Sequence, residues 1–151
     1  MSYVFHCTVQ PDWIDYNGHM RDAYYGLVFS LAVDAFQDEV GFDAAYRAAT
    51  GCTIYLLEDH KYFLAEVKNG AELKVETRLI GVRPNRFLLQ SCLSSGGVAS
   101  SVGEFLELHV QQRPEPHAAA IPDEILARLQ DAVAPRDDAL PSSRVMALTR
   151  S

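Results

Sequence analysis

A chain of 151 residues, 48% apolar and with a formal net charge of −7, is sized for one globular domain with a substantial core. The anionic balance does not favour nucleic acid, which needs a basic footprint, and no apolar stretch is long enough to span a bilayer. The first residues lack the basic and apolar regions of a signal peptide. Three cysteines, Cys7, Cys52 and Cys92, are odd in number and without metal spacing, and read as reduced thiols of a cytoplasmic protein.

Tyr3, Phe5, Cys7 and Val9 alternate with His6, Thr8 and Gln10, the period of a half-buried strand. Pro11 and Asp12 end it, and Asp15-Tyr16-Asn17-Gly18-His19 is loop chemistry with an Asn-Gly turn signal. From Asp22 to Val40 the pattern is helical. Asp22, Gly26, Ser30, Asp34, Gln37 and Asp38 form one narrow polar stripe; the rest is almost wholly apolar and predicts a helix buried on most sides. Gly41 is a natural stop, and a short helix is expected over Asp43–Ala49.

Thr53 to Val67 reads as one long or bulged strand, turned by Lys68-Asn69-Gly70. Leu73, Val75, Thr77 and Leu79 face inward on the next. After the Arg83-Pro84-Asn85 turn, Phe87 to Leu93 is the fourth strand. The fifth carries Leu106, Leu108 and Val110 on one face and Glu107, His109 and Gln111 on the other. Residues 1–113 make the main domain. Residues 114–134 form an extension with a short amphipathic helix from Pro122–Asp123, and 135–151 is expected to be a mobile tail.

Strand, long buried helix, then four antiparallel strands fits an α+β hotdog fold: a curved five-stranded antiparallel sheet around one central helix. Such a sheet leaves edges and surface that favour a homodimer or homotetramer.

Asp15-Tyr16-Asn17-Gly18-His19 falls between the first strand and the helix. Here the chain resembles the 4-hydroxybenzoyl-CoA thioesterase family of hotdog proteins, which carries an Asp, two spacers, then Gly and often His at this junction. The run Asp15 to Tyr25, with Glu58 and His60 on the long strand, resembles more closely the betainyl-CoA thioesterases of carnitine degradation. Arg21, where many members have Asn, fits that subgroup. The resemblance implies hydrolysis of a small acyl-CoA without a cofactor. Other thioesterase substrates, aromatic or aliphatic, and a non-catalytic acyl-binding role are the alternatives.

The chemistry needs a carboxylate to attack the thioester carbonyl or activate water, and donors for the developing oxyanion. Asp15 is the candidate for the first, as nucleophile or as general base. The free N–H groups of the first helical turn, from Arg21 and Asp22 to Tyr24, are candidates for the second, with Gly18 allowing close approach of backbone to ligand. His19 could orient Asp15, and Asn17 could hold water or the thioester oxygen. Trp13, Tyr16, Tyr24, Tyr25, Tyr55 and Phe63 are candidates for an aromatic cage around a trimethylammonium group; core packing is the alternative. Glu58 and His60 share a strand face, but no third ligand accompanies them, so a metal is not expected. They either support a partner's site or form a surface ion pair. Arg83 and Arg86 bracket a turn and are candidates for CoA phosphates.

Overall fold

In a computed structural model, residues 2–142 are described. Strand β1 (Tyr3–Thr8) leads through a single 3-10 turn (Pro11–Trp13) and the Asp15 loop into helix α1 (Asp22–Val40). Helix α2 (Ala44–Thr50) follows, then β2 (Cys52–Phe63), β3 (Glu72–Arg83), β4 (Arg86–Ser95), β5 (Val98–Gln111), the short β6 (His117–Ala118) and α3 (Asp123–Ala132). The sheet order is β1-β3-β4-β5-β2, with β6 added beside β5, and each named pairing is antiparallel. This is the hotdog fold.

Helix α1 begins without a side-chain cap at Arg21 and ends at Gly41, whose φ of 116° only glycine takes readily. Its Tyr25, Val28, Phe29, Ala32, Val33, Phe36 and Val40 are buried, and they meet the concave face of the sheet through contacts such as Phe29–Phe105 and Phe36–Phe87. The expectation of burial on most sides is corrected. Leu27 and Leu31 remain 41% and 38% exposed, because one sheet can cover only one side of a helix.

Strand β2 is shorter than Thr53–Val67 and carries a bulge between Leu56 and Glu58. It is an edge strand, bonded to β5 on one side. On β5 the polar face is the inner one: Phe105 packs on Phe29, so Glu107 and His109, two and four residues on, also point toward the helices. Both are buried.

The C-terminal part is integral to the core. Ile121, Ile125, Leu129 and Ala132 join the main cluster, and Arg128 donates to the Val40 carbonyl at 2.8 Å. The chain then passes the free edge of β3, beyond the end of β1, where the Ala134 N–H donates to the Leu79 carbonyl. It continues across the outer face of the sheet. Arg136 reaches the fully buried Glu104 at 2.9 Å, and Gln90 makes two hydrogen bonds to the Asp137 backbone. Within the stretch expected to be a mobile tail, Arg136 and Asp137 thus contact a buried carboxylate and a buried amide. Residues 143–151 of that expectation lie outside the described residues.

Candidate active site at the entrance to the central helix

The loop before α1 is a tight hairpin. Ile14 and Met20 bridge its base, the Asp15 N–H donates to the His19 carbonyl, and the Gly18 N–H returns to the Asp15 carbonyl, both at 3.0 Å. Gly18 has φ 81° and no atom within 4 Å of where a Cβ would sit. Backbone conformation, not close approach within the chain, explains this glycine. One Asp15 oxygen, Oδ1, accepts the Asn17 N–H at 2.8 Å, which fixes the carboxylate direction. Its Oδ2 has no partner among the described residues. Asn17 thus acts through its backbone, with its own side chain exposed.

Two backbone bonds fasten the loop to the fold: Met20 N–H to the Val67 carbonyl at 2.7 Å and Arg21 N–H to the Trp13 carbonyl at 2.9 Å. The expected set of free donors is therefore corrected to one. The Arg21 N–H is used, the Ala23 N–H is taken by Asp22 Oδ1 at 2.9 Å, and the Tyr24 N–H bonds the Arg21 carbonyl. Only the Asp22 N–H of these four has no acceptor among the described residues.

His19 does not orient Asp15. Its Nε2 lies 2.9 Å from Glu66 Oε2, a residue that sequence reading missed because nothing local marks it. Both line a cavity of about 360 Å³ with Met20, Asp22, Tyr25 and Phe63. Tyr25 meets Phe63 edge-on at 5.1 Å between centroids.

The expected Trp13–Tyr16 cage is not assembled. Trp13 stacks on Tyr24, centroids 5.6 Å apart at 14°. Tyr16 is 89% exposed, with the Arg21 guanidinium 6.0 Å from its ring centre. Trp13 ends the 3-10 turn while Tyr16 sits at the exposed tip of the hairpin, so these neighbours in sequence do not meet. Glu58 and His60 do share a face, but it is the outer one. They pair with Leu106 and Glu104, while the intervening Asp59 pairs with Phe105 on the helix side. Tyr55, opposite Leu108, is likewise on the outer face.

Arg83 and Arg86 are placed far from the loop. Their turn adjoins Phe87, which stacks on Phe42 beyond the C-terminal end of α1. A 19-residue helix separates the two ends by roughly 28 Å. Arg83 bonds the Val82 carbonyl and Arg86 the Asn85 side chain, so each is held locally.

Two more buried polar groups lie on the inner face of β5. His109 is fully satisfied, with Nδ1 2.9 Å from the Ala119 carbonyl and Nε2 2.6 Å from the Tyr46 hydroxyl. Burial holds the imidazole below its ordinary value and pushes the Tyr46 phenol up to about 12, so the pair is a neutral structural one. Glu107 is different. Burial first, and the facing carboxylates of Asp34 and Asp59 next, push its carboxyl up to about 7.

The sequence profile of the thioesterase-like superfamily matches residues 9–129. The chain belongs to that superfamily. Among relatives of this thioesterase-like protein, a betainyl-CoA thioesterase of Pseudomonas aeruginosa is 41% identical over 91% of this chain and 87% of its own. A fused L-carnitine dehydrogenase/betainyl-CoA thioesterase of Agrobacterium fabrum is 40% identical over 88% of this chain, which corresponds to 27% of that longer protein. Among solved structures, a candidate thioesterase of Pseudomonas putida KT2440 is 32% identical, with a TM-score of 0.77 and 97% of each chain covered. A Staphylococcus aureus protein crystallised with CoA shares the fold, with a TM-score of 0.84 at 23% identity over 97% of this chain and 96% of its own.

Proposed function

We propose that this protein hydrolyses a small acyl-CoA, with betainyl-CoA as substrate and glycine betaine and CoA as products. The 41% identity to a betainyl-CoA thioesterase over 91% of the chain carries this reading. The local chemistry supports it. Asp15 Oδ2 supplies the anionic oxygen that attacks the thioester carbonyl or takes a proton from water. The unpaired Asp22 N–H faces the oxyanion at the positive end of a helix. Glu66 holds His19 at the rim of the cavity. The rings of Tyr25 and Phe63, with the Glu66 carboxylate, suit a trimethylammonium group, whose spread charge is met by ring faces and a nearby anion.

The working unit is a homodimer of the cytoplasm. A second copy would pair along the open edge of β2, where Leu57 and Phe63 are 49% and 53% exposed, and would cover Leu27 and Leu31 of α1. Sedimentation should give a dimer or larger species; a monomer with full activity removes the interface from the mechanism.

The deciding experiment follows thiol release from betainyl-CoA and from its neutral isostere, 3,3-dimethylbutyryl-CoA. The wild type should prefer the cationic substrate by roughly tenfold or more, the size of one desolvated cation–π contact. Equal rates would sink the betainyl assignment while leaving a thioesterase. Asp15→Asn should fold normally and lose roughly a hundredfold or more in kcat. Activity within a few-fold of wild type would remove Asp15 from the chemistry.

A further inference from the structure

The middle of α1 faces a second cavity, of about 180 Å³, that the proposed reaction does not use. Its walls combine three carboxylates, Asp34, Asp59 and Glu107, with the apolar side chains of Val33, Leu56 and Phe105. Glu107 lines it while only 4% exposed, and its carboxylate has no hydrogen bond or ion-pair partner among the described residues. A buried, unpartnered acid is costly and needs an explanation.

Every element packed here contributes charge. Helix α1 brings Asp34 and Asp38, α2 brings Arg47 toward Asp34, and β2 brings Asp59, paired to Lys61. With Glu107 on β5, four carboxylates face two cations. The surplus is negative, and among the described residues no further cation faces these carboxylates. Among the described residues no group of three is close enough to hold a metal ion. Separated carboxylates with apolar walls instead match a cation whose charge is spread over methyl groups. Its methyls pack on the apolar walls while its charge is met by the carboxylates set among them.

We propose that the cavity walled by Asp34, Asp59 and Glu107 is a binding site for a small alkylammonium cation. Cation entry favours the ionised form of Glu107, so binding near neutral pH releases a fraction of a proton and weakens as pH falls. Within one chain the site is separate from the Asp15 loop. Ser30 and Asp34 lie about 12 and 18 Å along α1 from Asp22, beyond the reach of a two-carbon acyl group in the same chain. The cation is therefore either free in solution or the acyl end of a thioester bound by a second copy.

Titration calorimetry with tetramethylammonium at pH 8 tests the site without relying on hydrolysis. Saturable binding is expected, with tert-butanol, neutral and of similar shape, at least about tenfold weaker. Glu107→Gln should weaken tetramethylammonium by about tenfold or more. Asp34→Asn, on the exposed side of the helix, should act in the same direction and serves if Glu107→Gln does not fold. At pH 7, heats measured in buffers of different ionisation enthalpy should report proton release by the wild type and none by Glu107→Gln. Absence of saturable binding, or binding unchanged in both variants, overturns the proposal. Two further outcomes separate the sources. If Glu107→Gln raises KM for betainyl-CoA but not for 3,3-dimethylbutyryl-CoA, the cavity takes the acyl end. If it abolishes tetramethylammonium binding and leaves both KM values alone, the ligand is a free cation.

Discussion

Glu104 and Glu107 lie three residues apart on β5, and both are buried, at 0% and 4% exposure. They face opposite sides of the sheet. On the outer side Glu104 meets the guanidinium of Arg136, delivered by the chain as it crosses behind the sheet. On the inner side Glu107 meets Asp34 and Asp59, and its carboxyl is held up to about 7. One acid has its counter-charge supplied by the fold and acts as a clamp on the C-terminal segment. The other is left with a cavity and like charges, the arrangement expected of a site that takes its partner from solution.

The largest effect should come from breaking the satisfied member. Arg136→Met takes the guanidinium away from a fully buried carboxylate and should cost about 3–5 kcal/mol of unfolding free energy in urea titrations. Adding Glu104→Gln should recover most of that loss. A penalty below about 1 kcal/mol would mean that the pair is not structural, the value typical of exposed pairs.

Glu107 should reveal itself through pH. Its folded carboxyl titrates at about 7 against an ordinary 4.5, so the folded state holds the extra proton between these values. Stability from this group is therefore fully present below about pH 4.5 and is lost as pH rises through 7, by up to about 3 kcal/mol. His109 works in the opposite sense. Its folded value lies below 6.5, so its contribution is present above that pH and is lost as pH falls. The comparison of wild type with Glu107→Gln isolates the glutamate: the variant should gain on wild type from about pH 4.5 to 7 and level off above that. Parallel pH profiles would show that Glu107 is not a buried acid in solution.

The smallest effect should come from giving Glu107 a partner of its own. Leu56 sits directly across from it on β2 and is 52% exposed, so Leu56→Lys can place an ammonium near the carboxylate. Stability at pH 8 should rise by about 1 kcal/mol, the pH profile should flatten, and tetramethylammonium should no longer bind. Retained binding in this variant would place the cation elsewhere.

Much of the architecture was legible in residue order. The period-two runs of β1 and β3, the Asp22–Val40 helix with Gly41 behind it, and the Asn-Gly hairpin before it are local patterns, and the fold uses them as they stand. The Asp15 loop was legible for the same reason: its turn chemistry and its place between strand and helix are both written in adjacent residues. Other pairings were not legible. His19 finds Glu66, Trp13 finds Tyr24, and Arg136 finds Glu104. The first and last join residues distant in the chain. Trp13 and Tyr16 illustrate the converse, since they are close in sequence and do not meet.

The sequence by itself determined the element types, the position of the Asp15 loop and the superfamily, because each depends on periodicity or on motifs confined to short windows. Only the tertiary structure decided which face of β5 is inside. Alternation assigns Glu107 and His109 to one face and Leu106 to the other, but both faces of this strand are covered, one by α1 and one by the returning chain. A period of two cannot distinguish two buried faces. Packing decided it: Phe105 lies on Phe29, which carries His109 to Tyr46 and the Ala119 carbonyl and Glu107 to a cavity bordered by acids.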